Sequence, residues 1–377
     1  MSAVIVDWAR SPFHRAHKGE LRTVRPDDLA SQVISGLIQR NDIDVAEFDD
    51  LILGCAYPEA EQGYNLGRLV TALSGFPESV PGMTINRLCG SSMHAILSAV
   101  SSIESGWGDC FMCAGVESMS RVKRRGFNWS PNPKLSVEWP QAYVEMGQTA
   151  ENVAEKWDIG RNEQEEFALQ SHVNSSSAAN QGNFDDELIE IISDSGTVSR
   201  DGCIRPGTSL EAMSNLRPVF SESGTVTAAT SSPLTDGAVA LIVCSEEYAS
   251  INGLNPLARI VSGTVSGCKP ELMGIGPVSA TRKLLDNTGW DLDSIDVIEL
   301  NEAFSSQSLA VISELGIDQS RTNIDGGAIS IGHPLGASGA RITGKAASIL
   351  DRSGSSRAIA TMCIGGGMGM AMALERP

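Results

Sequence analysis

The sequence predicts an α/β protein made of two related halves, with an inserted region interrupting the first. Three observations predict it. Strand-like apolar runs and helical patterns alternate over the first ~115 residues and again from Ala258 to the end. Segments of the two parts match in the same order at nearly one offset. Between them lies a polar stretch with several prolines and little strand pattern.

In chain order, Ala3–Asp7 reads as a strand. Pro26–Arg40 reads as a helix with Leu29, Val33, Leu37 and Ile38 on one face. Leu51–Cys55 is a strand, Asn65–Leu73 a helix, Met83–Asn86 a strand, Ser91–Ser105 a helix and Cys110–Gly115 a strand. Arg121–Arg125 then opens an irregular stretch containing Pro131, Pro133 and Pro140, followed by helical patterns at Gln148–Trp157 and Glu163–Asn180. Residues 118–228 therefore read as an insertion rather than a core layer. Asp236–Val243 returns as a fully buried strand. The remaining strands are Ala258–Thr264, Val297–Asn301, Ala358–Cys363 and Met368–Leu374, and the remaining helices Pro277–Thr288, Phe304–Leu315 and Ser338–Leu350.

Asp50–Cys55 corresponds to Asp296–Asn301 at an offset of 246, and Leu88–Ser92 to Leu335–Gly339 at 247. A duplicated α/β unit has a pseudo-twofold axis across which equivalent helix N-termini face each other. That places Cys89 and the loop before Ser338 together.

The 28 basic and 46 acidic residues give a net charge of −18, which argues against general nucleic-acid binding. No apolar run reaches the ~18 residues of a membrane helix. Met1–Asp7 lacks the layout of a signal peptide, and Glu375–Pro377 carries no recognisable address. Eight cysteines scattered through apolar segments fit free thiols in a reducing compartment, so the expected location is cytoplasmic. Cys110 and Cys113 have metal-pair spacing but sit in a buried-strand pattern with no second pair, so they read as core. Gly339–Lys345 has phosphate-loop spacing, yet Ala346 replaces the Ser/Thr that such a loop needs, and the segment reads as helix.

The chemistry-bearing candidates lie at strand ends. Cys89, in Asn86-Arg87-Leu88-Cys89-Gly90-Ser91-Ser92, sits where a strand turns into a helix N-terminus, a setting expected to favour the thiolate. His333, between Gly332 and Pro334, can accept a proton from it. Cys363 closes a strand before Gly365, Gly366 and Gly367, whose backbone N–H groups can approach a ligand. Asn301 and Glu302 close another strand, and ligands bind at the carboxyl ends of such strands.

Asn86–Ser92, Asn301-Glu302-Ala303-Phe304, Gly332-His333-Pro334-Leu335-Gly336 and Cys363-Ile364-Gly365-Gly366-Gly367 together resemble the thiolases, most closely the 3-ketoacyl-CoA thiolases. Gly115–Met119 and Met146–Asn152 add to the resemblance, which covers essentially the whole chain. It implies two βαβαβαββ halves in a five-layer α-β-α-β-α sandwich: residues 1–117 with 229–249, and residues 250–377. A loop domain, 118–228, covers the active site.

The resemblance further implies thiolytic cleavage of 3-ketoacyl-CoA in fatty-acid β-oxidation, with coenzyme A as cosubstrate and no permanently bound cofactor or metal. A homodimer or dimer of dimers is implied, with a multienzyme β-oxidation partner as a further expectation. Carried to matching positions, Cys89 is the nucleophile, His333 its base and Cys363 the acid/base at the α-carbon. Asn301 holds a water at one oxyanion site, and the N–H groups of Cys89 and Gly365 form the other. Met146 lines the acyl pocket, and Arg205 and Ser232 contact CoA. Glu145, Thr230 and Ser279 depart from common forms and bear on chain-length preference. The basic run Arg121–Arg125 is a candidate contact for CoA phosphates. Two other readings stand beside this one: an acetoacetyl-CoA thiolase working in the condensing direction, and an inactive thiolase-like lipid-binding protein.

Overall fold

The computed structural model describes residues 2–41 and 43–377; Met1 and Asp42, which fall in the first expected unit, lie outside the described residues. The first half runs β1 (Ala3–Arg10), α1 (Pro26–Arg40), β2 (Asp50–Gly54), α2 (Leu66–Leu73), β3 (Gly82–Ile85), α3 (Ser91–Glu104), β4 (Cys110–Ser118) and β5 (Thr235–Ser245). Between β4 and β5 the chain leaves the sheet and forms α4 (Met146–Lys156) and α5 (Arg161–Asn180). The second half runs β6 (Ala258–Gly267), α6 (Gly276–Thr288), β7 (Val297–Leu300), α7 (Ser305–Leu315), α8 (Leu335–Ser353), β8 (Arg357–Ile364) and β9 (Met368–Glu375).

Both halves use one strand order. The first reads β3-β2-β4-β5-β1 and the second β7-β8-β9-β6, with a parallel bridge from Ile298 to Thr322 in the place of β3. β1 and β6 join the halves edge to edge, Ala3 opposite Ile260 and Ile5 opposite Ala258. The duplication extends to caps. Asp49 Oδ2 accepts the N–H groups of Asp109 and Cys110 at 2.7 and 3.1 Å, and Asp296 Oδ2 those of Ser356 and Arg357 at 2.8 and 3.0 Å. Leu51 faces Met112 as Ile298 faces Ile359. The offset is thus 247 for strands as for helices. The counterpart of Asp296 is Asp49, one residue before the match read from the sequence. Hydrogen bonding fixes the register here, whereas the apolar letters alone tolerate a slip of one.

Alternation along each strand separates the layers. Ile52 and Cys113 face the central core, while Leu51, Leu53, Cys110 and Met112 face α1 and α2. Cys110 and Cys113 thus lie on opposite faces of β4 and pack as core. α6 and α7 cover the outer face of the second sheet through Val278, Leu284 and Val311. α3 and α8 form the middle layer between the two sheets, which makes five layers in all. Burying Met93, Ile96 and Ile103 of α3 contributes ~1.5–3 kcal/mol each.

A helix between two sheets and another helix needs small residues, and α8 supplies Ala337, Gly339, Ala340, Ala346 and Ala347, all buried. At Gly339 a Cβ would stand 2.6 Å from the Met93 nitrogen, closer than any side chain fits. α8 starts at Leu335, directly after Pro334, and not at Ser338 as expected; its Gly/Ala/Ser first turn is helical because it is packed against the core. Gly339–Lys345 is helix, and Lys345 is buried against Glu187 and Asp325. The insertion is pinned to the core through Arg10 of β1, which pairs with Glu187 and Asp201, each at 2.7 Å. Among the described residues no helix is long and apolar enough to cross a membrane.

Candidate active site

Cys89 sits at the tip of a tight turn between β3 and α3. Leu88 adopts φ +47°, a left-handed conformation that non-glycine residues rarely hold. Side chains fix it there: Leu88 N–H donates to Asn86 Oδ1 at 2.7 Å, Arg87 N–H to Ser91 Oγ at 2.9 Å, and Ser91 Oγ to the Leu88 carbonyl at 2.6 Å. The turn drives the Cys89 side chain into a cavity of about 330 Å³.

The loop ahead of α8 brings His333 to the same cavity. Its backbone N–H donates to Thr235 Oγ1 at 3.0 Å. Its Nδ1 lies 2.5 Å from Ser338 Oγ, whose own proton goes to the Pro334 carbonyl at 3.0 Å. Nδ1 is therefore the protonated nitrogen, and Nε2 keeps its lone pair. Asn301 Nδ2 approaches Nε2 at 3.5 Å, while Asn301 Oδ1 has no protein partner. The imidazole is 5 % exposed, and burial first, then the charge of Arg341, pull its pKa down to about 3. It is a neutral ring, held at both nitrogens.

Cys363 closes β8 and lines the cavity with Gly365. Gly366 and Gly367 turn the chain into β9 with φ of +80° and +84°. Burial raises the Cys363 thiol well above its ordinary value, and Cys89 pushes it in the same direction.

The expectation of a resting thiolate at Cys89 is corrected. Burial pushes this thiol up to about 11; the N–H of Gly365 and its own N–H pull the other way, while Glu117 adds to the rise. The sulfur lines the cavity but is otherwise enclosed by protein, so desolvation outweighs the helix N-terminus. A thiol and a neutral imidazole on the same cavity are the resting groups.

Met146 and Ser232 also line the cavity. Asn301 reaches it only through His333, and Arg205 lies outside it, exposed, with its N–H 3.3 Å from His172 Nδ1. In the basic run, Arg121 pairs with Glu61, while Arg124 and Arg125 line the cavity and pair with Glu145. Arg125 stacks over Trp129 at 4.6 Å. Thr230 is buried in a turn, accepting the Thr227 N–H at 2.9 Å, and Ser279 lies away from the cavity on α6.

Residues not singled out from the sequence complete the site. Ser338 and Thr235 orient His333. Glu117, fully buried at the end of β4, accepts the N–H groups of Ala56 and Gly336, both at 2.9 Å, and the Gln62 amide at 2.8 Å. It thereby ties the β2 loop to the first turn of α8. Its sequence signals are an acidic residue closing an apolar strand and its place within Gly115–Met119, neither of which assigned it a role. The segment before β5 completes the wall: the Ser232 N–H donates to the Ala303 carbonyl at 3.0 Å, and Leu234 bridges to His333.

Comparisons with known proteins give the family and the fold. The thiolase N-terminal domain family matches residues 3–247 and the thiolase C-terminal domain family residues 254–376. A 3-ketoacyl-CoA thiolase of Bacillus subtilis (strain 168) is 43 % identical over 386 residues, covering 99 % of each chain. One of Hahella chejuensis (strain KCTC 2396) is 44 % identical over 384 residues, 99 % of this chain and 98 % of that one. Among solved structures, the Bacillus anthracis acetyl-CoA acetyltransferase superposes with a TM-score of 0.91 at 38 % identity, over 100 % of this chain and 99 % of that one. Human mitochondrial 3-ketoacyl-CoA thiolase in complex with CoA gives 0.91 at 37 % identity, over 100 % and 98 %. With matching domains across nearly its whole length and the same fold, this chain belongs to the thiolase family of acyltransferases.

Proposed function

We propose that the protein cleaves 3-ketoacyl-CoA with coenzyme A, giving acyl-CoA shortened by two carbons and acetyl-CoA, through an acyl group carried on Cys89. The observation that carries this reading is the cavity shared by two thiols and one neutral imidazole whose Nε2 carries a lone pair. A 3-keto thioester breaks between C2 and C3 only if C3 is attacked and the C2 carbanion is stabilised as an enolate.

In this reading His333 Nε2 takes the Cys89 proton as sulfur attacks C3. The C2–C3 bond then breaks. Its electron pair becomes the acetyl-CoA enolate, which takes the proton of Cys363. The acyl group remains on Cys89. Free CoA enters and gives its thiol proton to the Cys363 thiolate. Its sulfur attacks the acyl carbon, and departing Cys89 recovers the proton from His333.

The raised Cys363 pKa suits both of its tasks, because the thiol holds a proton until the enolate forms and its thiolate takes one back readily. The N–H groups of Cys89 and Gly365 serve one oxyanion, and a water on the unpartnered Asn301 Oδ1 serves the other. Met146 borders the acyl chain, while Ser232, Arg205 and the Arg124–Arg125 pair serve the CoA side. Residues 1–117 with 229–249, residues 118–228 and residues 250–377 are the working units. A homodimer or dimer of dimers in the cytoplasm, acting in β-oxidation beside a multienzyme partner, fits this role.

Rates with a C4-to-C16 series of 3-ketoacyl-CoA test the substrate class. Turnover extending beyond C4 supports it. Activity confined to C4 supports the acetoacetyl-CoA reading, which the similarity to the Bacillus anthracis enzyme favours. Absence of any acyl-enzyme in the intact mass after mixing with acetyl-CoA supports the inactive lipid-binding reading.

A further inference from the structure

Behind the cavity a buried ion pair joins the two elements that hold the imidazole. Arg341 lies on α8, one turn beyond Ser338, and Glu299 lies on β7, two residues before Asn301. Arg341 Nη1 donates to Glu299 Oε2 at 3.0 Å, and the side chains are 1 % and 0 % exposed. Glu299 Oε1 and Arg341 Nη2 have no protein partner. A pair of desolvated charges held by one contact gives the fold little, and apolar residues of similar size often serve stability better. The pair spans the same two elements whose side chains meet His333, Asn301 at Nε2 and Ser338 at Nδ1.

We infer that Glu299 and Arg341 are positioning residues for His333: they set the spacing between β7 and α8 that holds the ring at both nitrogens. The inference rests on His333 acting as the base. Arg341 disfavours the imidazolium, second only to burial. Around Glu299 stand Arg341, Lys345, Asp325 and Glu302; burial raises its carboxyl, while Arg341 and Lys345 pull it back toward the charged form. The thiols of Cys89 and Cys363 also line the cavity with the ring, and Glu117 acts on Cys89.

The test combines ¹⁵N-histidine NMR, with His333 assigned by His333→Asn, and the rate of Cys89 acylation between pH 3 and 9. The wild type is expected to show a neutral ring with its proton on Nδ1 down to about pH 4. Glu299→Leu/Arg341→Met removes both charges and retains apolar volume. It is expected to raise the ring's titration by about a unit and to slow acylation about fivefold at pH 3 relative to wild type. Arg341→Lys retains the charge and is expected to hold the wild-type pH profile. Should the double variant fail to fold, Arg341→Met alone is expected to move the profile in the same direction. Wild-type tautomer and pH profile in every charge-removing variant that folds, with only the melting temperature lowered, would overturn the inference. Wild-type acylation by His333→Asn would instead overturn the reading of His333 as base, whatever the pair does.

Discussion

Ser338→Ala isolates what holding the imidazole contributes. The Ser338 hydroxyl is 1 % exposed and is the only protein partner of His333 Nδ1 among the described residues. Its removal leaves a buried ring N–H without an acceptor, at a cost of about 1–3 kcal/mol, since little water reaches it. A similar energy disfavours the Nε2–H tautomer in the wild type, where the Ser338 hydroxyl would have to leave the Pro334 carbonyl to donate to Nδ1. In the variant the two tautomers approach parity and the ring is free to turn. At ~1.4 kcal/mol per tenfold, acylation of Cys89 is expected to slow by about 5- to 150-fold. Two measurements on one preparation check this: the time course of the acyl-enzyme by quenched-flow intact mass after mixing with acetyl-CoA, and denaturant unfolding. Acylation within twofold of wild type, alongside the expected drop in stability, would refute the reasoning, because the hydroxyl would then serve packing alone.

Cys89→Ala should abolish the acyl-enzyme. Cys363→Ala should still acylate yet fail at C–C cleavage, and equal loss of both half-reactions would contradict the division of roles. Alkylation of Cys89 by iodoacetamide should climb about tenfold per pH unit from pH 7 to 10, since burial keeps the thiol protonated up to about 11; a plateau below pH 8 would contradict a thiol at rest. His333 titrates lower in the folded protein, near 3, than the ordinary value of 6.5, so the folded state binds fewer protons between them. Stability should therefore be full above pH 6.5 and fall as pH drops toward 3, with a shallower decline in His333→Gln, read from melting temperature against pH. Gly339→Ala should lower stability by about 1–3 kcal/mol, because its Cβ would meet Met93 backbone; unchanged denaturant midpoints would show that α3 and α8 can separate at no cost.

The sequence by itself determined the alternation of strands and helices, the duplication, and three of the groups at the site. Periodicity carries that information locally: Pro26–Arg40 is a helix over the span read from its apolar stripe. Cys89, His333 and Cys363 were legible because each stands at the end of an apolar strand or beside a glycine or proline that breaks a pattern. Tertiary structure decided what periodicity cannot encode. Register is a matter of hydrogen bonding, and the caps at Asp49 and Asp296 moved the strand match by one residue. Protonation is a matter of enclosure: a helix N-terminus argues for a thiolate in water, but the walls of the cavity remove the water and leave a thiol. Thr235 and Glu117 became partners of the site only once the two sheets and the helices between them closed around them, since contacts across 100 or 200 residues of chain leave no local mark.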